Sequence, residues 1–504
     1  MATADERYGD DPEAAFEELT DRYERYLCLG HGGMVLGWDQ QVKMPDGGAP
    51  ARAKQMGALS TVRHEQLTDE AFEELLGAVE RDELDDEQRA IVREIRHSYE
   101  RAASVPSELV QTLSEHRSES QPIWQEAKAE DEYELFAPRL ERLLELERER
   151  AGAIDSDAGP YSVLYEDRQP YLPLETVEEI FTDLREHLVP LIDRIQTEGR
   201  ELPEFDSGTF DESDQEALCR EAIDMLGYDW DRGRFDTAPH PFMSGTQFDA
   251  RVTTRFDEST PIGGLLAAIH EFGHASYQLG LPQEEYGSPL GESRSSGVHE
   301  SQSRFWENHV GRTRPFWELF LPRLKAQFPS LEDVTVDEAY AAVNRIYPDN
   351  LIRVEADELT YHLHIILRCE IDRALVEGDL DVSEVPEVWN RKMQEYLGVT
   401  PETDADGCLQ DIHWSSGLAV FHGYTVGSVL AAQLDAAMRE DLDVDGLVRE
   451  GEFEPLLEWQ REHVHRHGQR YPTDELIEVA TGEPLTADYF LDYVDEKFTD
   501  LYDL

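Results

Sequence analysis

The chain has 504 residues, 40% of them hydrophobic, with 45 basic side chains against 109 acidic ones and a formal net charge of −64. That apolar content belongs to a folded globular chain, and the length is enough for one large or two medium domains. A surface of this sign excludes nucleic acid and anionic membranes as expected partners, and no apolar run approaches the roughly 18 residues of a bilayer span.

In chain order, the opening MATADERYGDDPEAAFEEL has neither a basic start nor an apolar stretch, so no secretory signal is expected and the protein is placed in the cytoplasm. Apolar residues at three- and four-residue spacing predict helices over 12–30, 65–102, 131–151 and 174–198. Residues 199–213 read as an acidic, turn-rich loop, and 247–256 (QFDARVTTRF) alternate well enough to be a strand. Residues 400–407 read as a second acidic loop. The four cysteines, Cys28, Cys219, Cys369 and Cys408, are widely spaced with no paired motif. They are expected to be buried thiols and not a disulfide framework or a thiolate metal site. The expected fold is mainly α with at most a small β element: a single catalytic unit over 1–504, open to division into two lobes by a cleft.

The chemistry concentrates in residues 261–280. Pro261 suits a helix start and Gly280 a helix end. Ile262, Leu265, Leu266, Ile269 and Phe272 form one apolar stripe, while His270 and His274 share a neighbouring face. Histidines four apart on a helix project side by side and can reach one metal ion; Glu271 points off to one side, where it can meet a water without binding the metal. This is the HExxH pattern of zinc peptidases, in which metal-activated water attacks a carbonyl and the glutamate takes its proton. A catalytic zinc needs a third protein ligand. Glu300, 26 residues past His274, suits a second helix crossing the first, with His299, Glu292 and Glu307 as rivals that periodicity alone does not separate. Zinc is the default metal, and cobalt or manganese would fit the same donors.

Further motifs follow a recognisable order: Trp38-Asp39 with Met44-Pro45, His240-Pro241-Phe242, Asp249-Ala250-Arg251-Val252-Thr253, the 270–274 motif and His299-Glu300-Ser301-Gln302. After these come Ile352-Arg353-Val354-Glu355-Ala356-Asp357, Gly407-Cys408-Leu409-Gln410-Asp411-Ile412-His413-Trp414 and the stretch around His463–Gly468. In these motifs the sequence resembles the carboxypeptidase Taq family, peptidase family M32, over nearly its whole length. The resemblance implies a helical, clamshell-like fold with a deep groove, often a homodimer, and broad carboxypeptidase activity on peptides with free C-termini. It also implies His270, His274 and Glu300 as metal ligands and Glu271 as general base. A groove-type metallo-oligopeptidase is the alternative enzyme, and an inactive peptide-binding protein the alternative outside enzymes.

An exopeptidase must recognise a free carboxylate, which a planar guanidinium pairs best. Arg353 lies in an apolar context, with Asp357 expected to brace it or to orient a ligand histidine; Arg251 is the second candidate. His240, His413 and Tyr424 are candidate donors to the developing oxyanion, Tyr424 favoured among them. Gln410 and Trp414 are candidates to line the groove. His463, His465 and His467 are expected to be structural, because no carboxylate chemistry lies beside them. Only six of the basic residues are lysine, and the acid runs along the whole chain, a pattern expected of a protein adapted to molar salt.

Overall fold

Three- and four-residue apolar spacing does build helices through most of the chain in the computed structural model, which describes residues 12–79, 84–205, 208–347 and 350–504. The N-terminal half contains α1 (Pro12–Val42), α2 (Ala49–Leu67), α3 (Glu70–Val79), α4 (Asp86–Ala103), α5 (Ser107–Glu130), α6 (Tyr133–Ile154), α7 (Pro160–Glu166), α8 (Leu174–Glu198) and α9 (Glu212–Leu226). Three short strands follow: β1 (Gly233–Thr237), β2 (Met243–Thr246) and β3 (Asp249–Thr254). The chain then continues through α10 (Gly263–Gly280), α11 (Ser296–Arg304), a π-helical turn (Phe305–Gly311), α12 (Arg314–Gln327) and α13 (Val336–Val343). It closes with α14 (Thr360–Glu377), α15 (Val385–Leu397), α16 (His422–Asp441), α17 (Val444–Glu450), α18 (Glu454–His463), α19 (Thr473–Thr481) and α20 (Asp488–Tyr502).

Local chemistry explains individual elements. In α8 the buried set Val177, Ile180, Phe181, Leu184, Leu188, Leu191, Ile192 and Ile195 keeps one apolar face, each side chain worth about 1.5–3 kcal/mol of burial. Helix α4 starts with a capping box: Asp85 accepts from the Gln88 backbone and Gln88 reaches back to Asp85. Helix α14 is buried almost all round, the pattern of a helix through a core.

The expectation of one helix over 65–102 is corrected. Helix α2 ends at Leu67, α3 runs from Glu70 to Val79, and α4 begins at Asp86, with residues 80–83 outside the described residues. Asp69 accepts from the Ala71 amide and Asp85 from Gln88, so these acids act as turn and cap groups where continuous periodicity reads only helix. The loop expected over 199–213 ends sooner, because Asp211 caps α9 by accepting from Ser213; residues 206–207 lie outside the described residues. The predicted strand is β3, and it is the middle of a three-stranded sheet, parallel to β1 and antiparallel to β2. Its partners lack that alternation: β1 has one buried residue and β2 has none. The cysteines are free as expected, but Cys28 is exposed and not buried.

Apolar packing forms two clusters. One is built from α1, α3 and α4, around Leu19, Phe72, Leu75 and Ile95. The other runs through most of the remaining helices and includes α10, α14 and α16. Sheet and site are joined where Thr254 of β3 donates from Oγ1 to the Gly264 carbonyl in the first turn of α10, at 2.9 Å.

Candidate metal centre

Helices α10 and α11 cross at a glycine. A Cβ on Gly273 would stand 2.5 Å from the Ser303 Cα and 2.6 Å from the Gln302 carbonyl, so only glycine allows this approach. On the other side, a Cβ on Gly427 of α16 would fall 2.4 Å from the Glu300 Cγ. Glu300 is thus held between two helices and turned toward the histidines.

The ligand-type atoms of His270, His274 and Glu300 lie within 4.8 Å of one another, and no other such group occurs among the described residues. Glu300 Oε2 is 3.5 Å from His274 Nε2 and 3.9 Å from His270 Nε2. The other ring nitrogens face away and are engaged: His270 Nδ1 with Glu307 Oε2 at 2.9 Å, His274 Nδ1 with the His299 carbonyl at 3.1 Å. Such outer partners fix ring orientation and leave Nε2 for a metal. Glu300 Oε1 accepts from Arg304 Nε at 2.8 Å, leaving Oε2 on the histidine side. Burial pushes the Glu300 carboxyl up, but Arg304, His270 and His274 outweigh it and hold the group at about 2. Two imidazoles and a carboxylate form the donor set of a catalytic zinc site. Glu271, also buried, keeps Oε2 without a hydrogen bond to any described residue. Burial raises its pKa, the two histidines opposing the shift. The donor set and this orphaned carboxylate oxygen fit a divalent metal with a base beside it.

The rivals for the third ligand have other partners. His299 lies with its ring centroid 4.6 Å from that of His274, outside the ligand group, and burial drives its pKa down to about 3. Glu292 faces His31 at 3.2 Å. Glu307 sits behind His270, where Arg304 and Arg312 also grip it at 3.2 and 2.9 Å. Burial raises the Glu307 carboxyl, but Arg312, Arg304 and His270 bring it well below the ordinary carboxylate range. The π-helical turn that carries Glu307 opens directly after α11 and changes the phase of the helix, as such turns do near functional sites.

A cavity of about 830 Å³ opens onto this group, and its wall includes His274, Glu300, His413 and Tyr424. His413 is held neutral by burial, its pKa drawn down to about 4 against the pull of Asp411. Burial raises the Tyr424 phenol. Arg353 lies just behind, its guanidinium 5.7 Å from the Tyr424 ring centroid and 5.6 Å from that of Phe421. Its brace is not Asp357. Arg353 Nη2 donates to Asp411 Oδ1 at 2.8 Å, and Asp411 also accepts from Arg368 at 2.6 Å. Asp357 instead caps α14, accepting from the amides of Leu359 and Thr360 at 2.9 Å each and from the Thr360 hydroxyl at 2.7 Å. It reaches neither Arg353 nor a ligand histidine.

Arg251 is not brought to this cavity. It pairs with Asp249 at 2.5 Å, covers Trp38, and lines a separate space of about 300 Å³ with His31, Phe248 and Tyr286. His240 is exposed on the turn between β1 and β2 and lines neither space. Gln410 and Trp414 do not line the cavity and are tied into the fold: Gln410 accepts from the Arg353 amide and from Arg368, and Trp414 donates to buried Asp372. In the histidine-rich stretch, buried His465 meets Gln302 at 3.0 Å and His463 stacks on Trp459. Sequence reasoning missed Arg304, Arg312 and Asp411 as partners. The only local signal for Glu307's place was an acid inside the apolar run Phe305-Trp306-Glu307-Asn308-His309-Val310.

The sequence model of the family described as Carboxypeptidase Taq (M32) metallopeptidase matches residues 18–498. The chain is 38% identical to thermostable carboxypeptidase 1 of Thermus thermophilus, over 97% of this chain and 99% of that protein. Carboxypeptidase 1 of Bacillus subtilis is 35% identical, over 96% and 98%. Among solved structures, the M32 carboxypeptidase from Deinococcus radiodurans superposes with a TM-score of 0.94 at 37% identity, covering 97% of this chain and 100% of that one.

Proposed function

The chain belongs to the carboxypeptidase Taq (M32) metallopeptidase family, it is a metallocarboxypeptidase, and from that membership we propose how its residues divide the work. His270, His274 and Glu300 hold one divalent metal, zinc first, with cobalt or manganese as substitutes for the same donors. Such a metal supplies Lewis-acid polarisation of the scissile carbonyl and activation of a water. Glu271 takes the proton of the attacking water and passes it to the leaving amine. The single observation that carries this role is its buried, unpartnered Oε2 beside the ligand group. Tyr424, with His413 beside it, donates to the oxygen that gains charge, which their place on the cavity wall supports. Arg353 receives the substrate's C-terminal carboxylate, supported by its burial and by the Asp411 brace that fixes its fork. Arg251, the second candidate for that carboxylate, and His240, a candidate oxyanion donor, have only their motifs in support, since neither lines the cavity.

The whole chain acts as one catalytic unit, a reading supported by a cavity wall drawn from Val110 to Tyr424 and a family model that spans residues 18–498; the two apolar clusters support a division into lobes. Four free thiols fit a reducing compartment, and the protein is placed in the cytoplasm and taken as a homodimer. Among the described residues no helix is long and apolar enough to cross a membrane.

The test is cleavage of paired peptides, free acid and C-terminally amidated, with and without chelator, alongside metal analysis of variants. Release of single residues from the free acid alone, lost with chelator, is expected. Glu300→Ala should lose the metal and His299→Ala should keep it. Equal internal cleavage of both peptides would favour the oligopeptidase reading, and retention of metal by Glu300→Ala would overturn the ligand set.

A further inference from the structure

The wall of the large cavity is charged unlike the rest of the protein. Four arginines line it, Arg117, Arg150, Arg168 and Arg294, against three carboxylates, Glu147, Asp167 and Glu300. The whole chain has 45 basic residues against 109 acidic ones, so the cavity wall inverts the balance of the chain as a whole.

Three of those arginines are occupied by the protein itself. Arg117 and Arg150 both hold Glu147, at 2.5 and 2.7 Å, and Arg150 also holds Asp167 at 2.6 Å. Arg294 forks onto Glu94 through two bonds of 2.9 Å. Arg168 differs: its guanidinium makes no hydrogen bond and no ion pair with any described residue, and the side chain is exposed on the cavity side. Its backbone is nonetheless fixed. The Arg168 carbonyl accepts from the Ser296 amide at 3.0 Å, at the first residue of the helix that carries Glu300. The adjacent Gln169 side chain donates to the Ser296 hydroxyl at 2.9 Å and accepts from the Gly297 amide at 3.3 Å. A cation without a partner among the described residues is thereby anchored to the helix that carries Glu300, in a protein with a large excess of carboxylates.

We propose that Arg168 is a specificity-determining residue that receives an acidic side chain, aspartate or glutamate, of the peptide near the scissile bond. The proposal rests on the carboxypeptidase reading and deepens it. Two arginines then divide two carboxylates by their settings. Arg353 is buried and doubly held, suited to the one group every substrate presents. Arg168 is solvated and not held by another side chain among the described residues, so its pairing is weaker and gives a graded preference and not a requirement.

Peptides identical except for glutamate or glutamine at each of the last three positions, all with free C-termini, test this with the metal-loaded enzyme at one fixed salt concentration. At one position wild type should favour glutamate by about fivefold in kcat/KM, the scale of one partly exposed charge-assisted contact. Arg168→Gln should bring that ratio close to one, Arg168→Lys should keep part of it, and Arg168→Glu should shift the preference toward lysine. Binding of the same peptides to the inactive, metal-loaded Glu271→Gln protein should show the same ratio, and its loss when Arg168→Gln is added. No glutamate preference at any position, or one that survives Arg168→Gln, overturns the proposal. An equal loss on glutamate and glutamine peptides also overturns it, since the residue would then read the terminal carboxylate. Failure of wild type to release any terminal residue would instead refute the carboxypeptidase reading, and the binding ratio would still decide the role of Arg168.

Discussion

Replacing Glu307 with glutamine or alanine isolates what holds His270 in place. The Glu307 carboxylate takes His270 Nδ1 at 2.9 Å through Oε2, and the same group is gripped by Arg304 at 3.2 Å and by Arg312 at 2.9 Å. Glutamine keeps the shape but loses the charge that holds the ring N–H and raises the basicity of Nε2. Removing an outer partner of a metal-bound histidine typically costs about 10–100-fold in metal affinity, or about 1.4–2.8 kcal/mol. Alanine does more, because Arg304 and Arg312 lose their shared carboxylate in a buried setting. Breaking such a pair typically costs about 3–5 kcal/mol of stability. Competition against a chelator of known affinity measures the first effect, and denaturant unfolding of the metal-free protein the second. The expected order of metal affinity is wild type, then Glu307→Gln, then Glu307→Ala, with Glu271→Gln near wild type as the control. Wild-type metal affinity in Glu307→Ala would refute the reasoning and leave Glu307 as part of the arginine network alone.

Glu271→Gln should keep fold and metal while kcat falls about 10²–10⁴-fold, read by turnover on a metal-loaded sample; near-normal kcat would exclude it as the base. Arg353→Ala should lower kcat/KM for free-acid peptides far more than any residual cleavage of amidated ones, a loss of about 2–5 kcal/mol for a buried charge pair; equal losses would make Arg353 structural. The protein should be folded and active in molar potassium chloride and lose both near 0.1 M, because repulsion among its excess carboxylates reaches about 10 Å there but about 3 Å at 1 M; an unchanged melting temperature across that range, followed by circular dichroism, would defeat the halophile reading. Acid should destabilise the fold early: burial holds His362, His422 and His465 neutral with pKa near 3, below the ordinary value of 6.5. Their folded pKa values are depressed, so the unfolded chain binds more protons, and stability present above about 6.5 is lost as pH falls toward 3, at up to about 1.4 kcal/mol per unit for each. Unfolding midpoints that stay constant from pH 7 to pH 5 would contradict this.

The sequence by itself determined whatever a single helix can carry. His270 and His274 are four residues apart in an apolar helix, and the regular α-helical rise and turn put both rings on one face before any other part of the chain is placed. The helical class followed for the same reason, since three- and four-residue spacing is a local property. Which residue of the crossing segment faces the two rings was legible only through family resemblance, because Glu300, His299 and Glu307 all fall on the segment that crosses α10, and the crossing at Gly273 turns Glu300 toward them. The expected Arg353–Asp357 pair failed for a local reason. Four-residue spacing brings side chains together only in an α-helix, whereas Arg353–Glu355 form a 3₁₀ turn and Ala356 is extended. The true brace, Asp411, lies 58 residues away along the chain. Glu307 behind His270 and the placing of Arg168 beside the helix that carries Glu300 depend likewise on contacts between distant segments. Such contacts are set by how helices pack, and no periodicity within either segment specifies them.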